Sequence, residues 1–177
     1  MNRTQAEGRI RSVFKSYGAT SSTTIAKLRA LSDGKVFELW VLSKLLEEIK
    51  GLGYTITYSH PGSPLFLKGA PGMLRQAQPH FDVRTAPSRQ IRWQVFLSVE
   101  FRTLGASMFG ATGLSSYHEI DVGVFRRVQP DGRPPHDDVV LAIECKAVGK
   151  SNKNIVRSAL GLRRELSSLR TMFLFDF

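Results

Sequence analysis

Two apolar segments in the C-terminal half of the chain carry charged residues within otherwise typical buried strands. The first, residues 118–125, reads HEIDVGVF, and the second, residues 139–146, reads VVLAIECK. The residues between them are rich in Pro, Gly and Asp, which favour turns. Because β-branched and apolar residues dominate both segments, the pattern predicts two neighbouring strands buried against helices.

The charged residues of these two strands are expected to lie on shared faces. Side chains alternate along a strand, so Glu119 shares a face with Asp121, and Glu144 shares one with Lys146. If the strands pair, Asp121, Glu144 and Lys146 converge. A hard divalent cation such as Mg²⁺ would explain two buried carboxylates beside an amine, because carboxylates, waters and substrate phosphate oxygens are its preferred ligands. The alternative is an ion pair of Lys146 with Glu144 or Asp121 at the end of a strand.

This arrangement of an Asp on one strand and Glu-x-Lys on the next resembles the PD-(D/E)xK nuclease superfamily, which has the restriction-endonuclease-like fold. Asp121 and Glu144-Cys145-Lys146 carry the resemblance, and Ile120 stands where the superfamily name has Pro. In outline the resemblance covers residues 33–177. It implies an α/β fold with an αβββαβ core, in which helices flank a mixed central sheet.

The order of the predicted elements resembles that core, with one additional strand, once an irregular insertion at about residues 60–90 is set aside. The pattern predicts a helix at 34–51, strands at 54–58, 91–101, 118–125 and 139–146, a brief strand at 65–67, a loop at 105–116, a helix at 151–170 and a last strand at 172–175. The domain resembling a nuclease is therefore predicted to span residues 33–177, and residues 1–32 form an N-terminal helical extension.

The N-terminal extension has two interpretations. Residues 5–17 have apolar residues at helical spacing, and a second short helix is predicted through residue 31. Two short basic helices are compatible with a DNA-reading helix-turn-helix, but no distinctive turn joins them. We favour the other interpretation, a helical appendage packed on the core.

The helix predicted at 34–51 places a carboxylate among its core-facing residues. At the angular spacing of an α-helix, Glu38 falls on the stripe that contains Val41, Leu42 and Leu45. A carboxylate there needs a partner. One interpretation is that Glu38 satisfies the helix N-terminus. The other is that it belongs to the metal site, because a Glu on the helix before the first core strand often joins that site in the superfamily.

The resemblance also implies roles for these residues. Asp121 and Glu144 would coordinate Mg²⁺, for which Mn²⁺ would substitute, with the backbone carbonyl of Cys145 as a further ligand. Glu38 would bind this ion or a second one. Lys146 would orient the attacking water or stabilise charge on the phosphate, and the cation would be expected to lower the pKa of this lysine. The implied catalytic set is Asp121, Glu144, Lys146 and Glu38.

Composition narrows the class of partner. The formal net charge of +10 and the sequence pI of about 10.2 favour an anionic partner, with nucleic acid first. The single cysteine excludes an internal disulfide framework and a Cys-rich zinc site, and it suits a reducing cytoplasm. The sequence contains neither a bilayer-spanning apolar run nor a signal peptide, so we expect a cytoplasmic protein without membrane association.

Two functions from different classes follow. The first is a divalent-metal-dependent endonuclease that cuts DNA, of restriction, defence or repair type, with RNA left open as a substrate. Cutting both strands with one site per chain would favour a homodimer. The second is a non-catalytic nucleic-acid-binding module on a nuclease fold.

Overall fold

The computed structural model of the chain describes residues 2–18, 30–63, 72–85, 90–110, 116–146, 160–162 and 166. The named helices are α1 (Arg3–Ser16), α2 (Asp33–Gly51) and the short α3 (Leu104–Phe109). The strands are β1 (Tyr54–Tyr58), β2 (Phe81–Thr85), β3 (Ile91–Arg102), β4 (Tyr117–Arg126) and β5 (Val139–Ile143), and a 3₁₀ turn (His136–Asp138) precedes β5.

Side-chain caps begin both long helices. The Asn2 side chain accepts hydrogen bonds from the backbone at the start of α1, and the Ser32 hydroxyl accepts one from Lys35 N at 3.4 Å at the start of α2. These contacts satisfy backbone N–H groups that have no partner within the helix. The sequence prediction of helices at 5–17 and 34–51 is confirmed, with ends that differ by at most two residues.

The five strands form one sheet in the order β1-β2-β3-β4-β5, and every named pair is antiparallel. Each strand is therefore the sheet neighbour of the next strand in the chain, an arrangement that needs no long crossover. The expected mixed sheet is wrong for these five strands, because consecutive segments return directly alongside one another. The coarse α/β class is confirmed, while the predicted last strand at 172–175 lies outside the described residues.

The predicted insertion at about 60–90 contains an integral part of this sheet. Strand β2 lies between β1 and β3, and Phe81 and Val83 are fully buried in the core. The sequence suggested an irregular segment here, but residues 81–85 form a regular strand. The short segment FDVRT was missed because the charged Asp82 and Arg84 alternate with its apolar residues and turn-forming residues surround it.

Smaller differences affect the edges of other elements. Helix α3 forms where a loop was predicted at 105–116, and β5 ends at Ile143, so Glu144 and Lys146 follow the strand rather than belonging to it. Strand β1 has its predicted bounds. Most of the helix predicted through residue 31, the brief strand at 65–67 and most of the helix at 151–170 lie outside the described residues, although 160–162 and 166 are helical.

The buried apolar residues form two clusters. The first cluster joins α1 and α2 to the sheet; it includes Ile10, Phe14, Val36, Leu39, Leu42, Leu46, Phe81, Val83, Val95, Val122 and Val124. The second cluster includes Leu74, Phe96, Val99, Phe101, Ile120, Phe125 and Leu162, with Leu166 packed against it. Helix α1 thus shares a core with α2 and the sheet. Within the described residues, no helix is both long and apolar enough to cross a membrane.

Candidate active site

Strands β4 and β5 bring Asp121 and Glu144 together. Their pairing includes Val122 opposite Ile143, so the next positions outward are Asp121 and Glu144. Residues directly opposite each other in an antiparallel pair project from the same face. The backbone N–H of Cys145 also donates a hydrogen bond of 2.6 Å to Oδ2 of Asp121. The Asp121 carboxylate is therefore anchored on the Glu144-Cys145 peptide, a contact that the sequence did not predict.

The third strand of the site contains an irregularity at Ser98. Leu97 packs against the first cluster, whereas Val99 packs against the second, although residues two apart on a regular strand share a face. Ser98, between them, has a φ of +50° and is almost completely buried. This left-handed conformation is uncommon for a residue other than Gly, and it reverses the alternation of β3.

The side chains of β4 also switch from one face of the sheet to the other, at the position opposite Ser98. Val122 packs against the first cluster and Ile120 against the second. These two residues pair with β3 on either side of Ser98, so Asp121 lies opposite Ser98 at the reversal. Strained backbone of this kind is found most often at functional sites, where the surrounding structure holds it in place.

Lys146 forms an ion pair with Glu144. The contact indicates that the two side chains lie on one side of the chain, as the sequence pattern predicted, and it is also the ion pair that we weighed as the alternative to a metal site. The hydrogen bond to Glu144 raises the pKa of Lys146; burial opposes the rise, and the charges of Glu144, Asp121 and Glu119 add to it. Lys146 is therefore favoured as a cation in this arrangement, whereas the lowered pKa that we expected beside a metal stays a prediction.

Glu38 reaches the site from α2. It is 7% exposed, and its Oε2 accepts a hydrogen bond of 2.7 Å from Nζ of Lys35. The same Nζ lies 3.4 Å from the Ser98 hydroxyl, so Lys35 links the first turn of α2 to the irregular part of β3. The position of Glu38 on the buried side of α2 is confirmed, and its charge has a partner.

The carboxylates of the site influence one another. Burial raises the pKa of Glu38; the hydrogen bond from Lys35 opposes this rise, and the negative charge of Asp121 adds to it. Burial likewise raises the pKa of Glu119, and the charges of Asp121 and Glu144 raise it further. Glu38 and Glu119 therefore both lie within electrostatic range of Asp121.

Cys145 contributes its backbone rather than its thiol. Its side chain is buried in the first cluster, and burial, followed by the neighbouring carboxylates, raises the thiol pKa. The contact of Cys145 with Asp121 is made through the amide N–H. Metal ligation through its carbonyl oxygen, which the resemblance implies, stays a prediction.

The donor set suits a hard cation chemically. The charge of Asp121 raises the pKa values of Glu38 and Glu119, and a divalent cation would offset this repulsion, because negatively charged oxygen ligands are those that Mg²⁺ prefers. Among the described residues, no three His, Cys, Asp or Glu side chains lie close enough together to hold a metal ion as they stand. Glu38 and Glu144 are turned instead toward lysines.

The sequence interpretation missed two residues of this cluster, Lys35 and Ser98. Lys35 precedes Glu38 by three residues on α2, a spacing that places both on one helix face. Ser98 is a small polar residue in the centre of the apolar segment VFLSVEF. Both residues could be noticed in the sequence, but only the fold shows that Lys35 and Ser98 are in contact.

A second polar network lies elsewhere in the sheet, around Asp82 of β2. Asp82 Oδ1 accepts a hydrogen bond of 3.0 Å from Gln94 and lies 3.4 Å from Nε2 of His80, and Oδ2 accepts one of 3.2 Å from Arg84. Burial alone would raise the pKa of Asp82, but the hydrogen bonds with His80 and Gln94, together with the charges of His80 and Arg84, lower it below its usual value. We interpret this network as structural.

No family model, curated protein or solved structure matches this chain at a significant level. The resemblance to the PD-(D/E)xK superfamily therefore rests on the sequence motif and the order of the predicted elements, and it stays a prediction.

Proposed function

We propose that this chain is a divalent-metal-dependent nuclease that hydrolyses phosphodiester bonds in DNA. The observation that carries the proposal is the contact of the Asp121 carboxylate with the Glu144-Cys145 peptide, at 2.6 Å from Cys145 N. The contact brings the Asp121 carboxylate to the backbone next to Glu144, while Lys146 pairs with Glu144 and Glu38 is within electrostatic range of Asp121. The net charge of +10 is of the sign that a nucleic-acid substrate requires.

In the proposed mechanism each residue has a distinct task. Asp121 and Glu144 would hold the cation, and the amide of Cys145 keeps the Asp121 carboxylate oriented. A bound Mg²⁺ supplies a Lewis acid that polarises the phosphate and lowers the pKa of a water. Lys146 donates hydrogen bonds to phosphate oxygens, where negative charge grows as the bond to the leaving group breaks. Its ammonium group, which pairs with Glu144, has the charge that this role needs.

The second candidate is a non-catalytic nucleic-acid-binding module on the same scaffold. The observation in its favour is that lysines already neutralise two of the carboxylates, Lys146 at Glu144 and Lys35 at Glu38. In this interpretation the ion pairs are structural, and basic residues elsewhere on the surface bind phosphates. The two candidates differ in whether the carboxylates are needed for turnover.

A cleavage assay separates the candidates. Supercoiled plasmid and end-labelled single- and double-stranded DNA and RNA oligonucleotides would be incubated with the protein in Mg²⁺, Mn²⁺ or EDTA. The nuclease proposal expects products with either metal and none with EDTA. Binding in a gel-shift assay without products in any metal would contradict the nuclease and favour the module.

Matched variants exclude a contaminating nuclease. Asp121→Asn removes one charge at the site with almost no change in shape and is expected to abolish cleavage. Asp137→Asn makes the same change on an exposed residue of the 3₁₀ turn and is expected to cut like the wild type. Equal activity of the two variants would show that the cutting does not come from this site.

A further inference from the structure

Lys35 occupies a position that the helix alone does not explain. It lies in the first turn of α2, after the capping residue Ser32. The N-terminal end of a helix carries partial positive charge, so a cation there is disfavoured. The ammonium group of Lys35 instead satisfies two groups across the site, Glu38 at 2.7 Å and the Ser98 hydroxyl at 3.4 Å.

The Glu38 carboxylate can interact both with Lys35 and with a cation bound near Asp121. Lys35 holds one of its oxygens at 2.7 Å and also lies 3.4 Å from the hydroxyl of Ser98, which is opposite Asp121 in the pairing of β3 with β4. A divalent cation bound between Glu38 and Asp121 would be attracted by both carboxylates. It would then interact with the same carboxylate that Lys35 holds.

From this arrangement we propose that Lys35 competes with a divalent cation for the Glu38 carboxylate and so sets the metal affinity of the site. The inference rests on the proposed function, because it assumes that Glu38 and Asp121 contribute to one cation site. In this scheme Lys35 is a positioning residue that acts through Glu38. When Glu38 turns to the cation, the Ser98 hydroxyl still anchors the lysine ammonium next to the site.

The proposal predicts that removal of Lys35 increases the metal affinity of the site rather than decreasing it. Replacement of a lysine that only supports the structure would loosen a metal site. Replacement of a lysine that competes with the metal tightens it, because a unit positive charge a few ångströms away is removed. Even at the dielectric constant of water, the repulsion between a unit positive charge and a divalent cation about 6 Å apart corresponds to a change in Mn²⁺ affinity of roughly tenfold.

The test measures Mn²⁺ binding without DNA, by the loss of the free-ion electron paramagnetic resonance signal. The variants are Lys35→Met, which removes the charge, and Lys35→Arg, which keeps it. Lys44→Met is the matched control, because it makes the same change on the same helix where the lysine lies 5.8 Å from the centre of the Trp40 ring. Asp121→Asn reports whether the wild-type ion binds at this site. Circular dichroism melts verify folding.

Tighter binding by Lys35→Met, with Lys44→Met like the wild type and Lys35→Arg no tighter than the wild type, supports the proposal. If the wild type binds Mn²⁺ through Asp121 but Lys35→Met binds no more tightly than Lys44→Met, the competition is refuted and the proposed nuclease site stands. If Lys35→Met does not fold, tighter binding by Lys35→Arg overturns the proposal on its own. If the wild type does not bind Mn²⁺, or Asp121→Asn binds it equally, both proposals fail.

Discussion

The amide nitrogen of Cys145 donates a hydrogen bond to Asp121 over 2.6 Å, from a segment 24 residues further along the chain. A charge-assisted bond of this kind fixes the direction of a carboxylate. It also explains how Asp121 is tolerated at 8% exposure in the middle of an apolar strand. The contact links the structural and the proposed chemical roles of the residue.

Lys146→Ala is expected to lower the single-turnover rate of DNA cleavage by about 10²- to 10³-fold, because a donor to the reacting phosphate is lost. Mn²⁺ binding should remain, because the carboxylates are untouched. Rapid-quench kinetics with saturating protein measure the rate. Lys50→Ala, at the exposed end of α2, serves as the control and should leave it unchanged. A Lys146→Ala enzyme with wild-type kinetics would remove Lys146 from the mechanism.

Substitutions at Ser98 should follow the conformation of the backbone. With φ at +50°, glycine avoids a steric penalty of about 1–2 kcal/mol, whereas a β-branched residue increases it. We therefore expect Ser98→Val to be less stable than Ser98→Gly by about 2 kcal/mol or more. Urea unfolding monitored by tryptophan fluorescence gives both values. Equal stability of the two variants would contradict the left-handed conformation.

Gly123→Ala is expected to destabilise the protein by about 1–3 kcal/mol, the usual range for overpacking a core. A Cβ at this position would lie 2.6 Å from both Ile120 Cδ1 and Phe125 Cε2, and neither of these fully buried side chains has room to withdraw. Thermal unfolding measures the loss. Gly8→Ala, on the exposed side of α1 with open space around it, should instead gain about 0.5–1 kcal/mol. The same sign for both changes would be inconsistent with the packing.

The lowered pKa of Asp82 predicts that the free energy of unfolding decreases in acid. Its pKa in the folded protein is below the unfolded value of about 3.9. Its charge therefore stabilises the fold above about pH 4, and this contribution disappears as the pH falls through the lower folded value. Asp82→Asn should lower the free energy of unfolding by about 1–3 kcal/mol at neutral pH, because buried partners lose an ionised acceptor.

Urea unfolding of the wild type and of Asp82→Asn at a series of pH values checks this expectation. The difference in free energy between the two proteins should be constant near neutrality and should shrink below about pH 4. Asp131→Asn, which changes an exposed carboxylate in the β4–β5 connection, is the control for general charge effects. A difference that stays constant into acid would mean that the pKa of Asp82 is not lowered.

The sequence by itself determined the helices and strands in which apolar residues recur at regular spacing. It also identified the charged residues that stand at positions where this spacing calls for an apolar residue. Helix α2, strand β1 and the strands of Asp121 and Glu144 follow from period alone, because the spacing of apolar residues is a local property. The conflict also singled out Asp121, Glu144, Lys146 and Glu38, since a carboxylate on a buried face needs a partner wherever it occurs.

Only the tertiary structure decided the antiparallel order of the sheet, the place of β2 within it and the partners of the charges. Lys35 meets Ser98 across 63 residues of sequence, and Ser98 is left-handed because β3 changes faces there opposite Asp121. No local propensity specifies such a contact or such a reversal, since both depend on which distant segments pack together. The charged residues of the candidate site, and the local pairs of Lys35 with Glu38 and of Lys146 with Glu144, could therefore be identified from the sequence. The link from Lys35 to Ser98 came only from the packing of α2 against the sheet.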